Sequence, residues 1–235
     1  MAKQYPRFST LALLGCISGA AAAYAFVLRP WHLHWGATAK EAAQTLPGDE
    51  FIPEARLNAT HAITIHAPAE RIWPWLVQIG QGRGGFYSYD WLENLLGLNI
   101  HSAQNILPKH QDLKVGDLIP LAAVKGGQSF GIPVAILEPN QRLVLRGDTR
   151  LDQAVKGMAV TGGYLATSWG WYLQPLDLRH TRLVERFRCD WNPSLMNQLL
   201  MRVVMEPGSF VMEHKMLLGI KERAEQRAAG YIELN

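Results

Sequence analysis

PAERIWPWLVQIGQGRGGFYSYDWLENLL, residues 68–96, is the stretch around which the rest of the chain is organised. Pro68 suits a first helical position, where its missing donor costs nothing. Ile72, Trp73, Leu76, Val77 and Gly80 then fall on one face at helical spacing. Pro74 removes a hydrogen bond from that helix, so a kink or a restart is expected after the first turn. Gly80-Gln81-Gly82-Arg83-Gly84-Gly85 has the letters of a dinucleotide-binding fingerprint, but that motif follows a strand and opens a helix. Here a helix precedes it, so the glycines are read as a positive-φ turn that lets two helices pack closely. A second short helix follows Phe86, Tyr87, Ser88 and Tyr89. Ser88 or Asp90 caps it, Glu93 completes a capping box with Asp90, and Gly97 supplies a left-handed end.

Composition limits what this stretch can serve. At 235 residues, one domain with an appendage can bury a sufficient core. The 23 basic and 20 acidic residues leave a net charge of +3, without the clustered basic face that nucleic acid requires. The 2 cysteines, Cys16 and Cys189, do not make a disulfide framework.

The N-terminus reads FSTLALLGCISGAAAAYAFVL over residues 8–28, an uncharged run long enough to cross a hydrocarbon core, with Arg29-Pro30-Trp31 to end it. An uncleaved anchor is the reading taken. A cleaved signal around Ala23-Tyr24-Ala25 and a lipoprotein signal at Leu13-Leu14-Gly15-Cys16 are the alternatives. The lysine and arginine balance leans towards a cytoplasmic N-terminus with the body on the other side. Trp31 and Trp35 suit the membrane interface. Thr38 and Glu41 can cap a helix over 41–46, stopped by Pro47-Gly48.

Beyond the connector, residues 59–66 alternate as a half-buried strand with Ile63 and Ile65 on one face. His61 and His66 are read as strand-surface residues without a metal role, because no acidic or cysteine ligand stands at workable spacing. Further strands are expected over 117–123, 132–137, 142–145, 165–174 and 181–189, with a hairpin turn at Glu138-Pro139-Asn140-Gln141. Residues 147–163 read as a long loop beside a cavity mouth. Trp169 and Trp171 share one strand face, as do Glu185 and Phe187, while Arg182, Arg186 and Arg188 form a face expected to be solvated or turned to anionic headgroups. A helix from Ser194 carries Leu195, Met196, Leu199, Leu200, Val203 and Val204 on one stripe. Pro207-Gly208 is expected to break it before a second helix over 209–227, whose inner face is Phe210, Glu213, Leu217, Ile220 and Ala224. Glu213 thus points at the sheet, with Arg83 or another inward arginine as its natural partner. The methionines, among them Met196, Met201, Met205, Met212 and Met216, form a soft surface suited to a lipid-like ligand or to filling a core.

With WGAT at 35–38, LPGDE at 46–50 and SWGWYLQP at 168–175, the 68–96 stretch resembles members of the SRPBCC superfamily over residues 35–225. That group has the helix-grip fold of START lipid-transfer domains, plant pathogenesis-related allergens and polyketide cyclases. The resemblance implies an α+β fold, an antiparallel sheet gripping a long C-terminal helix, with an internal cavity for a hydrophobic ligand. One N-terminal transmembrane helix precedes it. The expected division is an anchor over 1–30, a connector over 31–58, the helix-grip domain over 59–228 and a tail over 229–235. The expected partners are a hydrophobic small molecule or lipid and, through residues 8–28, the membrane; no cofactor, metal or nucleic acid is expected, and protein partners are left open. Cavity candidates are Trp73, Arg83, Phe86, Tyr87, Tyr89, Trp169, Trp171, Glu185, Phe187, Phe210, Glu213 and Leu217. Catalysis is not required. The rivals are a cyclase- or dehydratase-type enzyme and a ligand-free assembly factor for a membrane complex.

Overall fold

The structure, a computed structural model, describes residues 15, 16, 18, 19, 22–95, 97–123, 129–152 and 163–229. Most of the 8–28 run therefore lies outside the described residues, as does the middle of the 147–163 loop. Among the described residues no helix is long and apolar enough to cross a membrane.

Tyr24–Leu28 winds as a π-helix and passes without a break into α1 (Arg29–Leu33). Pro30 sits in the first turn of α1, where a missing N–H is tolerated, so Arg29-Pro30-Trp31 does not end the helix there. In α2 (Ala39–Ala43) Thr38 and Glu41 form the reciprocal capping box, although the helix begins and ends earlier than 41–46. β1 (Leu57–Ile65) leads into α3 (Ala69–Val77), for which Pro68 is the N-cap rather than the first helical residue. Pro74 does not break α3. The bond it removes would have gone to the carbonyl of Glu70, while the buried side chains of Ile72, Trp75 and Leu76 hold the turns on either side. Trp75, not Trp73, is the tryptophan fully buried from this helix.

The glycine turn returns the chain on itself, with Gly80 and Gly85 bridged as a two-residue ladder and both at positive φ. Its tightness is steric: a Cβ on Gly85 would lie 2.8 Å from the His101 carbonyl oxygen. In α4 (Asp90–Leu95) the Asp90 carboxylate accepts from Ser102 N at 2.7 Å and Ser102 Oγ at 2.6 Å. It is thus engaged with Ser102 rather than in a box with Glu93, which is buried.

β2 (Leu118–Ala123), β3 (Ser129–Glu138), β4 (Arg142–Asp148), β5 (Leu165–Pro175) and β6 (Thr181–Trp191) follow as expected, most of them longer than their alternation indicates. The order β1-β6-β5-β4-β3-β2 makes one antiparallel sheet in which the first strand pairs with the last, and β1 and β2 are the edges. The chain then forms α5 (Leu195–Leu199), a π-helix over Leu200–Met205, and α6 (Glu206–Ala229). Pro207-Gly208 does not interrupt this run. Pro207 lies in the first turn of α6, directly after the widened π turns, which leave room for its ring.

α6 crosses one face of the sheet. Leu217, Ile220 and Ala224 meet Ile65, Leu143, Leu145, Trp171 and Leu183 there, and α3 packs alongside with Ile72, Trp75 and Leu76. On the stripe preceding α6, Leu195, Met196, Leu199, Val203 and Val204 face outwards. The other sheet face is not solvated, contrary to the reading of its arginines. The connector lies over it, packing Leu46 and Phe51 on Val144, Tyr172 and Val184. Arg186 is buried and donates to Asp49 at 3.2 Å and to the carbonyls of Glu41 and Gln44. Arg182 holds Glu41, and Arg188 holds the Ile52 carbonyl. Backbone carbonyls of an irregular segment need donors, and these three guanidinium groups supply them.

Candidate functional site

Antiparallel register places His61 of β1 directly opposite Glu185 of β6, so their side chains share one face. α6 lays Glu213 over the pair. His61 Nδ1 lies 3.1 Å from Glu185 Oε2 and 3.4 Å from Glu213 Oε2. The indole Nε1 of Trp169 donates to Glu185 Oε1 at 2.7 Å. On the far side of the imidazole, Nε2 is 2.9 Å from the backbone oxygen of His32. A carbonyl only accepts, so Nε2 carries a proton and Nδ1 is the atom offered to the two carboxylates.

Burial and mutual charge set the protonation of this cluster. His61 is 1% exposed and Glu213 8% exposed. Burial, then the Glu185 charge, push the Glu213 carboxyl up to about 8, against the opposing pull of His61. For His61, burial disfavours the cation, but the hydrogen bond and charge of Glu185 and the charge of Glu213 outweigh it and raise its pKa.

Beside the cluster lies a void of about 10 Å³, lined by His32, Leu33, Leu57, Ala59, Phe187 and Phe210 together with His61 and Glu213. That is room for about one water. His32 is buried there, and neither of its ring nitrogens has a hydrogen-bond partner, although Glu206 Oε1 is 3.6 Å from Nε2. Burial lowers the His32 pKa, with Glu206 opposing. Arg29 clasps Glu206 through two contacts of 2.8 and 3.1 Å, and Tyr24 donates to the Arg202 carbonyl. The outer wall of the void is therefore α1 and the start of α6, to which the two short π-wound stretches are fastened.

The structure brings Trp169, Glu185, Phe187, Phe210 and Glu213 together around this cluster, and Trp171 and Phe86 stack near them through Trp169. The remaining candidates lie elsewhere. Arg83 is not the partner of Glu213; it is folded back into the glycine turn, donating to the carbonyls of Val77, Ile79 and His110. Tyr87 takes φ +58° and donates to the Trp75 carbonyl within the core. Tyr89 lines a surface cleft of about 340 Å³ with Trp91, Lys215 and Arg223. Trp73 and Leu217 pack in the core.

His61, read as a surface residue, is the centre of the site. The signal was present: it has the same parity as Ile63 and Ile65, hence the same inward face. Its acidic partners come from β6 and α6, so ligand spacing along the chain could not reveal them. The donor atoms of His61, Glu185 and Glu213 lie within 4.8 Å of one another, a set able to hold a metal ion.

No protein-family model and no curated protein matches the chain. Solved structures similar to it include a hypothetical protein of Helicobacter pylori, 14% identical, covering 80% of this chain and 99% of that one, with a TM-score of 0.46. An aromatase/cyclase from a Streptomyces species is 15% identical over 73% of this chain and 94% of its own, with a TM-score of 0.39. A truncated norcoclaurine synthase from Thalictrum flavum is 12% identical over 70% and 91%, with a TM-score of 0.41. An antiparallel sheet with a long C-terminal helix laid across it is the architecture that the SRPBCC resemblance implies.

Proposed function

We propose that this protein is a membrane-anchored binder of a hydrophobic small molecule or lipid, admitted between α6 and the sheet with its polar end at His61, Glu185 and Glu213. One observation carries the reading: a buried acid–base cluster borders a small void whose outer wall is apolar. Phe26, Val27 and Leu28 on the first π-helix, and Leu199, Val203 and Val204 near the second, are exposed on that side. Such a surface is costly in water and suited to the acyl region of a bilayer, where the 8–28 run would also lie. The small void is the closed form; entry of a ligand moves Phe210 and the segment before it. Short π turns are frequent at functional sites, so they are the natural moving part.

Filling the void tests this directly. Ala59 is buried and faces it. Ala59→Leu occupies the space with methyl groups, so the full chain, extracted in mild detergent, is expected to fold yet to lose the apolar species that the unaltered chain retains. Equal retention by the folded variant would place the ligand elsewhere and contradict the reading.

A further inference from the structure

Two carboxylates meet one imidazole in this interior, and the geometry leaves the imidazole nitrogen they share without a fixed occupant. The His61 Nε2 proton is committed to the His32 carbonyl at 2.9 Å. In its neutral form His61 therefore presents a bare Nδ1 lone pair to oxygens 3.1 and 3.4 Å away, each belonging to a carboxylate. Lone pairs facing one another at such distances repel, so either a shared proton or a metal cation has to stand among them. The ion pairs of Glu185 and Glu213 are made with His61. With both carboxylates ionised, a proton on Nδ1 leaves the cluster one negative charge in excess. A divalent cation would bring it to neutrality.

We infer that His61 Nδ1, Glu185 and Glu213 bind a divalent transition-metal cation of the zinc or manganese class. Bonds of about 2.0–2.2 Å to one nitrogen and two oxygens put neighbouring ligand atoms about 3.0–3.5 Å apart, the spacing that His61 already keeps to both carboxylates. One imidazole with two carboxylates favours such metals over calcium or magnesium, which prefer oxygen alone. The surrounding contacts have the form of an outer shell. The backbone carbonyl orients the imidazole, and the Trp169 indole N–H fixes the free oxygen of Glu185. A second, separate feature points the same way: His32, 5% exposed, faces the same void with neither ring nitrogen hydrogen-bonded. It is available to a water carried by the metal. This site stands whether or not an apolar molecule enters from the membrane side.

The test uses the full chain in detergent, stripped with a chelator and titrated with Zn²⁺ and Mn²⁺ alone, with Mg²⁺ as the oxygen-preferring control. One equivalent of Zn²⁺ per chain is expected, with a rise in the thermal midpoint that Mg²⁺ does not reproduce. Glu213→Gln is expected to weaken Zn²⁺ by at least tenfold. Trp169→Phe keeps the three ligands, so it remains informative if Glu213→Gln fails to fold, and it is expected to weaken binding about 10- to 100-fold. Absence of stoichiometric binding up to millimolar Zn²⁺, or unchanged affinity in a folded Glu213→Gln or Trp169→Phe chain, overturns the proposal and leaves a proton as the occupant.

Discussion

Glu93 lies buried on α4, and burial together with the nearby Asp90 charge pushes its carboxyl up to about 7. The folded chain thus keeps a proton that the unfolded chain releases near 4.5. The sign follows: this group's contribution is intact below the unfolded value and is lost as pH rises through about 7. The thermal midpoint is expected to fall by a few degrees between about pH 5 and pH 8, and Glu93→Gln is expected to flatten that slope. Identical slopes for the two proteins would show that Glu93 is not held this way. At this scale some of the site was legible in the sequence. The inward positions of Glu185 and Glu213 follow from strand and helix periods alone. His61 was legible in principle, by its parity with Ile63 and Ile65. Its pairing was not, because Glu185 is 124 residues away and only register across β1 and β6 joins them. Arg83 failed as a partner for Glu213 because the carbonyls of its own turn were nearer.

Arg186 shows how an element can be misread although its strand is right. Alternation over β6 correctly separates Arg182, Arg186 and Arg188 from Leu183, Glu185 and Phe187. A row of arginines has the pattern of a wetted face, and nothing local shows that the connector folds over it. Arg186→Met removes donors from the buried Asp49 carboxylate and from the half-buried Glu41 and Gln44 carbonyls. The expected loss is about 3–5 kcal/mol, as for breaking one side of a buried pair. It should be accompanied by faster amide exchange over residues 37–52. Unchanged exchange there would mean that apolar packing by Leu46 and Phe51 holds the connector instead. Thr38→Ala, which removes only the cap of α2, should cost about 1 kcal/mol. The C-terminal helix teaches a related lesson. Pro207-Gly208 is a stop signal, yet the π winding before it lets the chain continue, and winding of that kind leaves no mark in the apolar spacing.

The molecule as a whole has one side that water does not suit. Leu195 is 78% exposed, Val203 63% and Phe26 81%, and they lie on the stretches next to α1 and α6, which wall the void. Periodicity puts the 195–204 apolar residues on one stripe, but it distinguishes an apolar face from a polar one and not an interior from a bilayer. Replacing Leu199 and Val203 together by Glu should leave the fold intact and reduce partition onto phosphatidylcholine vesicles by at least tenfold, at about 0.8 kcal/mol for each buried methylene. Partition unaffected by both changes would mean that this side does not enter the membrane. The reading that ties cluster, void and apolar wall together is that a hydrophobic molecule is held within. Native mass spectrometry with lipid extraction, on full chain extracted gently in mild detergent, tests it most directly. A stoichiometric apolar species, retained by the unaltered chain and lost from folded Ala59→Leu, is the predicted result; a clean, empty protein would contradict the account.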